Sequence, residues 1–207
     1  VSRYAGYCGS SGYVTGTSAI LSQYPHSIIS DIKRPGMLLV TDVGNDAVRH
    51  VNTLSLSAPH SVSNFYQHSS FLNGPRGITQ HHVSGDLYIT TNDNEVWKVT
   101  YSSKSITKLA GASSSSFRDC DFGTAYFYNP FEIIFIGENK LMLADYGSHR
   151  LRILNFKTSH TSSVCTGSAS HIDGDMETCT LYYPRSLMVL NDTLYVGEYQ
   201  RIRKVQG

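Results

Sequence analysis

Apolar residues in this chain are grouped into four equivalent stretches, and each stretch follows a proline. The four prolines are Pro25, Pro75, Pro130 and Pro184, which lie 50, 55 and 54 residues apart. The apolar run after each proline is short, as at residues 133–136. Proline is tolerated at the first residue of a strand, where its missing N–H is not needed by the ladder. A repeat of this length is typical of propellers and solenoids.

Each repeat continues with a turn, a second apolar strand, and a third strand in which apolar and polar residues alternate. This alternation indicates a strand with one exposed face, and no stretch has the period of a helix. A fourth, outer strand is predicted at 105–109 and 161–165, and less clearly at 61–65. The four third strands are predicted at 47–51, 95–99, 150–154 and 201–205.

The two ends of the chain carry complementary parts of this pattern. Residues 1–6 match the end of an outer strand such as 107–111, and the chain ends soon after the third strand at 201–205. Pairing the first and last strands would close a propeller and remove its open edges. We therefore expect an all-β fold, a single domain over residues 1–207 with four four-stranded antiparallel blades, closed by the N-terminal strand.

The repeat resembles the NHL repeat of β-propeller proteins, which is named for an Asn-His-Leu signature. The shared features are a Tyr-Pro start, a Leu-Tyr-Val-type strand, an acid, and a loop that leads into an arginine-containing strand. They are best kept at 141–153 and 39–49, whereas the copy at 89–96 lacks the acid and the last copy has Glu198 before a shorter loop. Familiar propellers of this family have six blades, so the alternative to a four-bladed ring is a fragment of a six-bladed NHL propeller.

Composition narrows the possible functions. Charged residues make up 16% of the chain and the net charge is +1, against a usual charged share of roughly 25%, so we expect no nucleic-acid partner. No apolar run approaches the roughly 20 residues that span a bilayer, and we expect no membrane insertion. Four cysteines and many Ser, Thr and Tyr residues favour an extracellular protein, secreted or on the cell surface. The chain starts at Val1 without a signal-type segment, so we expect a mature or excised product.

An acid ends the second strand in three of the repeats, and an arginine follows five or seven residues later. A ring of carboxylates could bind a cation or act in acid–base chemistry. Because the arrangement recurs once per repeat, whereas a catalytic site would appear once, we interpret the acids as structural partners of the arginines. The pairs are Asp42 with Arg49, Asp145 with Arg152, and Glu198 with Arg203.

The nine histidines lack the spacing of a zinc site, since neither His-x-His nor His-Glu-x-x-His occurs. The amidating lyase that cleaves peptidyl-hydroxyglycine resembles an NHL propeller and carries a metal in its central channel, but its histidine ligands have no convincing counterpart here. Residues 173–177 are acidic but lack the ligand register of a calcium loop. We predict no metal, no cofactor and no enzymatic activity. The alternative is a metal-dependent lyase or hydrolase of the amidating-lyase type that uses the channel.

Cysteine positions and one sequon add covalent features. Cys165 and Cys179 flank one long connection, and a disulfide between them would staple it. Cys8 and Cys120 lie in the equivalent connections of the first and third repeats, and they are free, paired with each other, or paired with another chain. Asn191 begins an N-glycosylation acceptor in a predicted turn and is a possible glycosylation site.

The loops between second and third strands all emerge on one face of the predicted propeller. Loops held by a rigid scaffold often carry recognition residues, and tyrosine is enriched at interfaces. We therefore predict an extracellular recognition or assembly module that binds a protein or glycan, or copies of itself. A lectin, with pockets repeated in several blades, is a further alternative. The candidate residues of the binding face are Asn45, Asp46, Asp93, Asn94, Tyr146, His149 and Tyr199.

Overall fold

The computed structural model describes residues 12, 15–16, 21, 24–54, 61–68 and 70–205. Within these residues the chain is all-β, with two single turns of 3₁₀ helix as its helical segments, and the predicted fold class of a four-bladed β-propeller is confirmed. The predicted closing strand at residues 1–6 and Cys8 lie outside the described residues. No helix in the described ranges is long and apolar enough to cross a membrane.

The strands form four antiparallel sheets, each built from consecutive strands, and we call them blades 1 to 4. Blades 1, 2 and 3 contain β1–β4, β5–β8 and β9–β12, and blade 4 contains β13–β15 within the described residues. The strands are β1 Pro25–Ser30, β2 Met37–Asp42, β3 Ala47–Asn52, β4 Val62–Gln67, β5 Ile78–Gln80, β6 Leu87–Thr90, β7 Glu95–Val99, β8 Ile106–Gly111, β9 Pro130–Phe135, β10 Lys140–Asp145, β11 Arg150–Asn155, β12 His160–Val164, β13 Ser186–Leu190, β14 Thr193–Glu198 and β15 Arg201–Val205.

Blade 3 shows why the repeat pattern gives these strands. Its second strand, β10, is paired on both sides, which explains why its apolar residues 141–144 are all buried. The hairpin between β10 and β11 runs in register from Lys140 opposite Asn155 to Asp145 opposite Arg150. Pro130 is the first residue of β9, where the lack of an N–H is tolerated.

The chain divides into two compact units. Unit 1 comprises Val1–Ile89 and Val99–Ile106, and unit 2 comprises Thr90–Lys98 and Thr107–Gly207. Blade 1 therefore lies in unit 1, blades 3 and 4 lie in unit 2, and blade 2 contributes residues to both. The prediction of a single domain over residues 1–207 stays a prediction.

In unit 1, a buried polar network accompanies the apolar core of blade 1. The Asp31 carboxylate contacts Nε2 of His50 at 2.8 Å and accepts a hydrogen bond of 2.7 Å from the Tyr101 hydroxyl. It also accepts a bond of 3.1 Å from the Gln80 amide. Burial alone would raise the pKa of Asp31, but these hydrogen bonds lower it below its ordinary value. The carboxylate is thus held charged and fixes the end of β1.

In unit 2, blades 3 and 4 share one apolar core. Leu151 and Ala144 of blade 3 pack in the same cluster as Val196 and Leu187 of blade 4. The cluster also includes the two cysteines of the connection between the blades, Cys165 and Cys179. This packing fixes blades 3 and 4 against each other and sets the positions of the loops at their ends.

The turn from the second to the third strand of each blade contains a residue with left-handed backbone. This residue is Asp46 in blade 1, with φ of 49°, and Asn94 in blade 2, with φ of 63°. Aspartate and asparagine tolerate this conformation. In blades 3 and 4 it is His149 or Gln200, with φ of 58° and 67°. Histidine is also among the types that adopt this conformation more readily, and the recurrence of the conformation in all four turns makes it a property of the turn.

Candidate functional site

Two of the predicted binding-face residues, in blade 1, serve to hold their own loop. The side-chain amide of Asn45 donates to the carboxylate of Asp42 at 2.8 Å and to the carbonyl of Gly12 at 2.6 Å. The carboxylate of Asp46 accepts the backbone N–H of Gly74 at 2.8 Å. Their polar groups are occupied by the chain itself, so we do not place the recognition site here.

The equivalent residues of blade 2 are used in a similar way. The Asn94 side chain accepts the N–H of Asn129 at 2.7 Å and donates to the carbonyl of Ser114 at 3.4 Å. Asp93, beside it, is half-buried. Asn94 therefore ties together three parts of unit 2 and is better explained as a structural residue.

The other three predicted residues, Tyr146, His149 and Tyr199, belong to a continuous cluster of rings on blades 3 and 4. The ring of Tyr183 lies at its centre, with centroid distances of 4.3 Å to His149, 4.6 Å to Tyr146 and 4.7 Å to Tyr182. We call this cluster the aromatic strip. Its members are Phe131, Tyr146, His149, His171, Tyr182, Tyr183 and Tyr199.

Tyr182 extends the strip across blade 4. Its ring is nearly parallel to that of His149, with an angle of 12° and a centroid distance of 5.7 Å. It also meets His171 at 5.2 Å and Tyr199 at 5.8 Å, both edge to face. Tilted and edge-to-face contacts of this kind stabilise aromatic pairs by about 0.5–1.5 kcal/mol beyond the area that they bury.

Hydrogen bonds of the backbone hold the residues of the strip in position. The N–H of Tyr182 donates to the Glu198 carboxylate at 2.5 Å, and the N–H of Tyr199 donates to the Tyr182 carbonyl at 3.0 Å. Tyr183, directly before Pro184, has left-handed backbone with φ of 52°. For a bulky residue such as Tyr183 this conformation is strained. Backbone strain of this kind is concentrated at functional sites.

The protonation state of His149 follows from its contacts. Its Nδ1 accepts the backbone N–H of Tyr183 at 3.1 Å, so in the neutral ring the proton is on Nε2. Burial, with the neighbouring charge of Arg150, lowers the pKa of His149 below its ordinary value. Within the described residues Nε2 has no hydrogen-bond partner, so the ring offers one N–H donor outward.

Glu198 joins the strip to the acid–arginine pair of blade 4. Its carboxylate accepts from Arg203 at 3.1 Å and from Nδ1 of His171 at 3.3 Å, in addition to the N–H of Tyr182. The guanidinium of Arg203 also bonds the exposed Asp173 carboxylate. These three donors fix the carboxylate of Glu198, which in turn holds the backbone of Tyr182 in the strip.

The other two acid–arginine pairs are fully buried. Arg152 lies 3.0 Å from Asp145, and Arg49 lies 3.5 Å from Asp42, with all four side chains inaccessible to solvent. Burial raises the pKa of Asp145 to about 6 against the opposing charge of Arg152. Each pair joins the second strand of its blade to the third, which is the geometry of a structural contact.

The predicted disulfide between Cys165 and Cys179 is confirmed, with the Cα atoms 4.6 Å apart. Cys120 has no disulfide partner in the described part of the chain, and its predicted counterpart Cys8 lies outside that part. Asn191 is exposed in the turn between β13 and β14. Among the described residues, no three His, Cys, Asp or Glu side chains come together as metal ligands.

The sequence pattern identified only part of the strip. Phe131, His171, Tyr182 and Tyr183 were missed because they lie on connections or at a strand start, where no alternation distinguishes a packed ring from an exposed one. Tyr182 and Tyr183 precede an anchor proline, and a Tyr-Pro pair also occurs at Tyr24. In the structure Tyr183 lies against the loop of the preceding blade, where it contacts His149. The Tyr-Pro pair was the sequence signal that could have indicated this contact.

Solved structures similar to this chain are β-propeller proteins. An auxiliary nutrient binding protein from Bacteroides ovatus has a TM-score of 0.69 at 17% identity, over 84% of this chain and 46% of that one. A chain of a nidogen/laminin complex has a TM-score of 0.61 at 19% identity, over 87% of this chain and 57% of that one. A streptogramin B lyase has a TM-score of 0.56 at 15% identity, over 86% of this chain and 52% of that one. The chain thus spans about half the length of the structures it resembles.

No protein-family model and no curated protein matches this chain. The similarity to solved structures is below 25% identity and shows the fold alone. The β-propeller fold is therefore shown, and the resemblance to the NHL repeat stays a prediction.

Proposed function

We propose that this chain is a non-enzymatic extracellular recognition module whose aromatic strip binds a protein or glycan partner. The observation that carries this proposal is a set of rings, most of them half-buried, that contact one another and are held by hydrogen bonds to the backbone of Tyr182 and Tyr183. Rings of this kind provide a large contact area at little cost in conformational entropy. The strip is also preorganised, so that its residues need not be ordered when the partner binds.

The propellers that this chain resembles include an auxiliary nutrient binding protein and a chain of a nidogen/laminin complex. A lyase is among them as well. We favour binding over catalysis for this chain because the strip consists mainly of aromatic rings, and the carboxylate beside it, Glu198, is paired with Arg203 and bonded to the backbone of Tyr182. These are the contacts of a structural group.

The extracellular location is supported by the disulfide, since such bonds persist in oxidising compartments.

An extracellular location predicts that Asn191 is glycosylated. This residue is exposed at a turn and has a φ of 49°. When the chain is secreted from a eukaryotic host, we expect one N-linked glycan at this residue. Peptide-N-glycosidase should lower the mass of the wild type but not that of Asn191→Asp, a variant that tolerates the same backbone conformation. A wild-type mass equal to that of the bare chain would contradict the prediction.

The binding proposal is tested by replacing rings of the strip. Tyr183→Ala removes the central ring, and His149→Asn removes a ring and a donor while keeping a residue that accepts left-handed backbone. We expect both variants to lose at least tenfold in affinity, since removing a hot-spot aromatic costs 2 kcal/mol or more in binding free energy, roughly a factor of 30. The measurement is surface plasmon resonance over laminin, hyaluronan, heparan sulfate, chitin oligomers and a second copy of the chain.

The matched control is Tyr24→Ala, which removes the tyrosine before the first anchor proline in unit 1. It should leave binding unchanged. Saturable binding to at least one of the five surfaces, lost in the strip variants and kept in the control, supports the proposal. Binding that survives both strip variants, or no binding to any of the surfaces, would overturn it.

A further inference from the structure

The aromatic strip leaves several polar groups unused, and each of them can donate a hydrogen bond. Within the described part of the chain, the hydroxyls of Tyr146, Tyr182, Tyr183 and Tyr199 form no hydrogen bond to the protein, and Nε2 of His149 carries an unused N–H. A hydroxyl can donate or accept, whereas this imidazole nitrogen only donates. The ligand that best complements this set is rich in acceptor oxygens.

Arg185 adds a charged donor at one end of the strip. Its guanidinium carbon lies 5.0 Å from the ring centroid of Phe131 and 5.8 Å from that of Tyr146, in the range of cation–π contacts. The side chain is exposed, and it has no carboxylate partner among the described residues. An arginine placed beside aromatic rings in this way can offer its fork of N–H groups to a carboxylate or sulfate.

Two arginines beside the strip have no carboxylate partner in the described part of the chain, whereas the nearby carboxylates do have cationic partners. The nearby carboxylates of Glu198 and Asp145 are paired with Arg203 and Arg152, whereas Arg185 is not paired. Arg150, which follows His149, lies over the ring of Phe117 at 3.6 Å without an ion pair in the described part of the chain. An anionic group of a partner could therefore pair with the guanidinium of Arg185 without displacing a carboxylate of the described chain.

The rings set the shape of the partner. A pyranose has an apolar C–H face that stacks on a tyrosine or histidine ring, and its rim carries hydroxyl oxygens that meet phenol and imidazole groups. An acidic sugar adds a carboxylate or sulfate at that rim. From these contacts we propose that the partner of the aromatic strip is an acidic glycan, with its anionic group on Arg185 and a sugar ring on Tyr183. This inference rests on the proposed function and names the ligand class of the same site.

Isothermal titration calorimetry with the full chain tests the proposal. The probes are a hyaluronan hexasaccharide, which carries carboxylates, a heparin hexasaccharide, which also carries sulfates, and neutral chitohexaose. We expect chitohexaose to bind at least tenfold more weakly than the better acidic probe. Arg185→Gln should weaken that acidic probe at least tenfold and leave chitohexaose within twofold. Lys157→Gln, which removes an exposed positive charge at the opposite end of blade 3, should change neither.

The outcomes separate this proposal from the one it rests on. Equal binding of acidic and neutral probes, or an acidic probe that is insensitive to both Arg185→Gln and Tyr183→Ala, would overturn the acidic glycan. If only laminin or a second copy binds, and binds through Tyr183, the glycan proposal is wrong and the recognition site stands. If no partner depends on Tyr183, both proposals fail.

Discussion

Replacing Arg152 by alanine should lower the free energy of unfolding of unit 2 by about 3–5 kcal/mol, the usual cost of removing one partner of a buried ion pair. The five N–H groups of the guanidinium are all used. They bond the carboxylates of Asp145 and Asp119 and the backbone carbonyls of Arg118 and Tyr126, at 2.7 to 3.1 Å. Alanine would leave these acceptors without their donor, with an uncompensated charge at the buried Asp145.

Thermal unfolding monitored by circular dichroism measures this effect. For a chain of this length we expect Tm to fall by roughly 10 °C. The matched control is Arg203→Ala in blade 4, where the arginine is 15% exposed and one of its two acid partners, Asp173, is 92% exposed. Its loss should be less than half as large. Equal losses for the two variants would contradict a special role for the buried pair in blade 3.

The Arg152 effect should also depend on pH. Because burial raises the pKa of Asp145 to about 6, the folded state holds this proton more tightly than the unfolded chain. The group therefore stabilises the fold most below its ordinary pKa of 3.8, and that contribution is lost as the pH rises through about 6. Without Arg152 the charged form is even less favourable, so the deficit of Arg152→Ala should be larger at pH 8 than at pH 5. A deficit that is the same at both values would show that Asp145 is not the group responsible.

Removing the disulfide should have the second largest effect. Cys165 and Cys179 are 14 residues apart, and closing a loop of about 15 residues stabilises the fold by about 3 kcal/mol in the chain-entropy model. The double variant Cys165→Ser/Cys179→Ser should therefore unfold several degrees below the oxidised wild type. Reduced wild type should unfold at nearly the same temperature as the double variant, and Cys120→Ser should match the oxidised wild type.

The same disulfide should influence the aromatic strip. Near it, the N–H of Cys165 donates to the Met176 carbonyl and that of Thr166 to the Cys179 carbonyl, each at 2.7 Å. This segment carries His171, whose ring contacts Tyr182. We expect the double variant to bind the strip's partner more weakly at a temperature where it is still folded. If the oxidised wild type and the double variant had the same Tm, the disulfide would contribute no stability, which would contradict the prediction of a destabilised double variant.

The sequence predicted most of the strands because local patterns determine them. Proline-led apolar runs, the alternating third strands and turn residues such as Gly85 place hairpins without reference to the rest of the chain. The link between Cys165 and Cys179 also followed from local spacing. These features depend on residues close together in the sequence.

The aromatic strip was only partly predicted because it depends on contacts between distant residues. His149 and Tyr183 are 34 residues apart, and their contact exists because a buried core holds blades 3 and 4 together. For the same reason, the pattern paired Arg152 with Asp145 but could not show that the guanidinium also binds Asp119 and two carbonyls in a connection without a regular period. The sequence also could not show that Asn45, Asp46 and Asn94 hydrogen-bond to other segments of the chain. A sequence does not distinguish a polar side chain that is bonded to the protein from one that is free in solvent.

The central claim, that the aromatic strip is the recognition surface, is tested most directly by covalent footprinting of tyrosines. The chain is treated with tetranitromethane, alone and with a saturating amount of the partner that it binds in the surface plasmon resonance experiment. Nitration of each tyrosine is then quantified by mass spectrometry. We expect protection of Tyr146, Tyr182, Tyr183 and Tyr199, with Tyr24 and Tyr128 unchanged. Protection confined to tyrosines outside the strip, with these four nitrated as in the free chain, would contradict the claim.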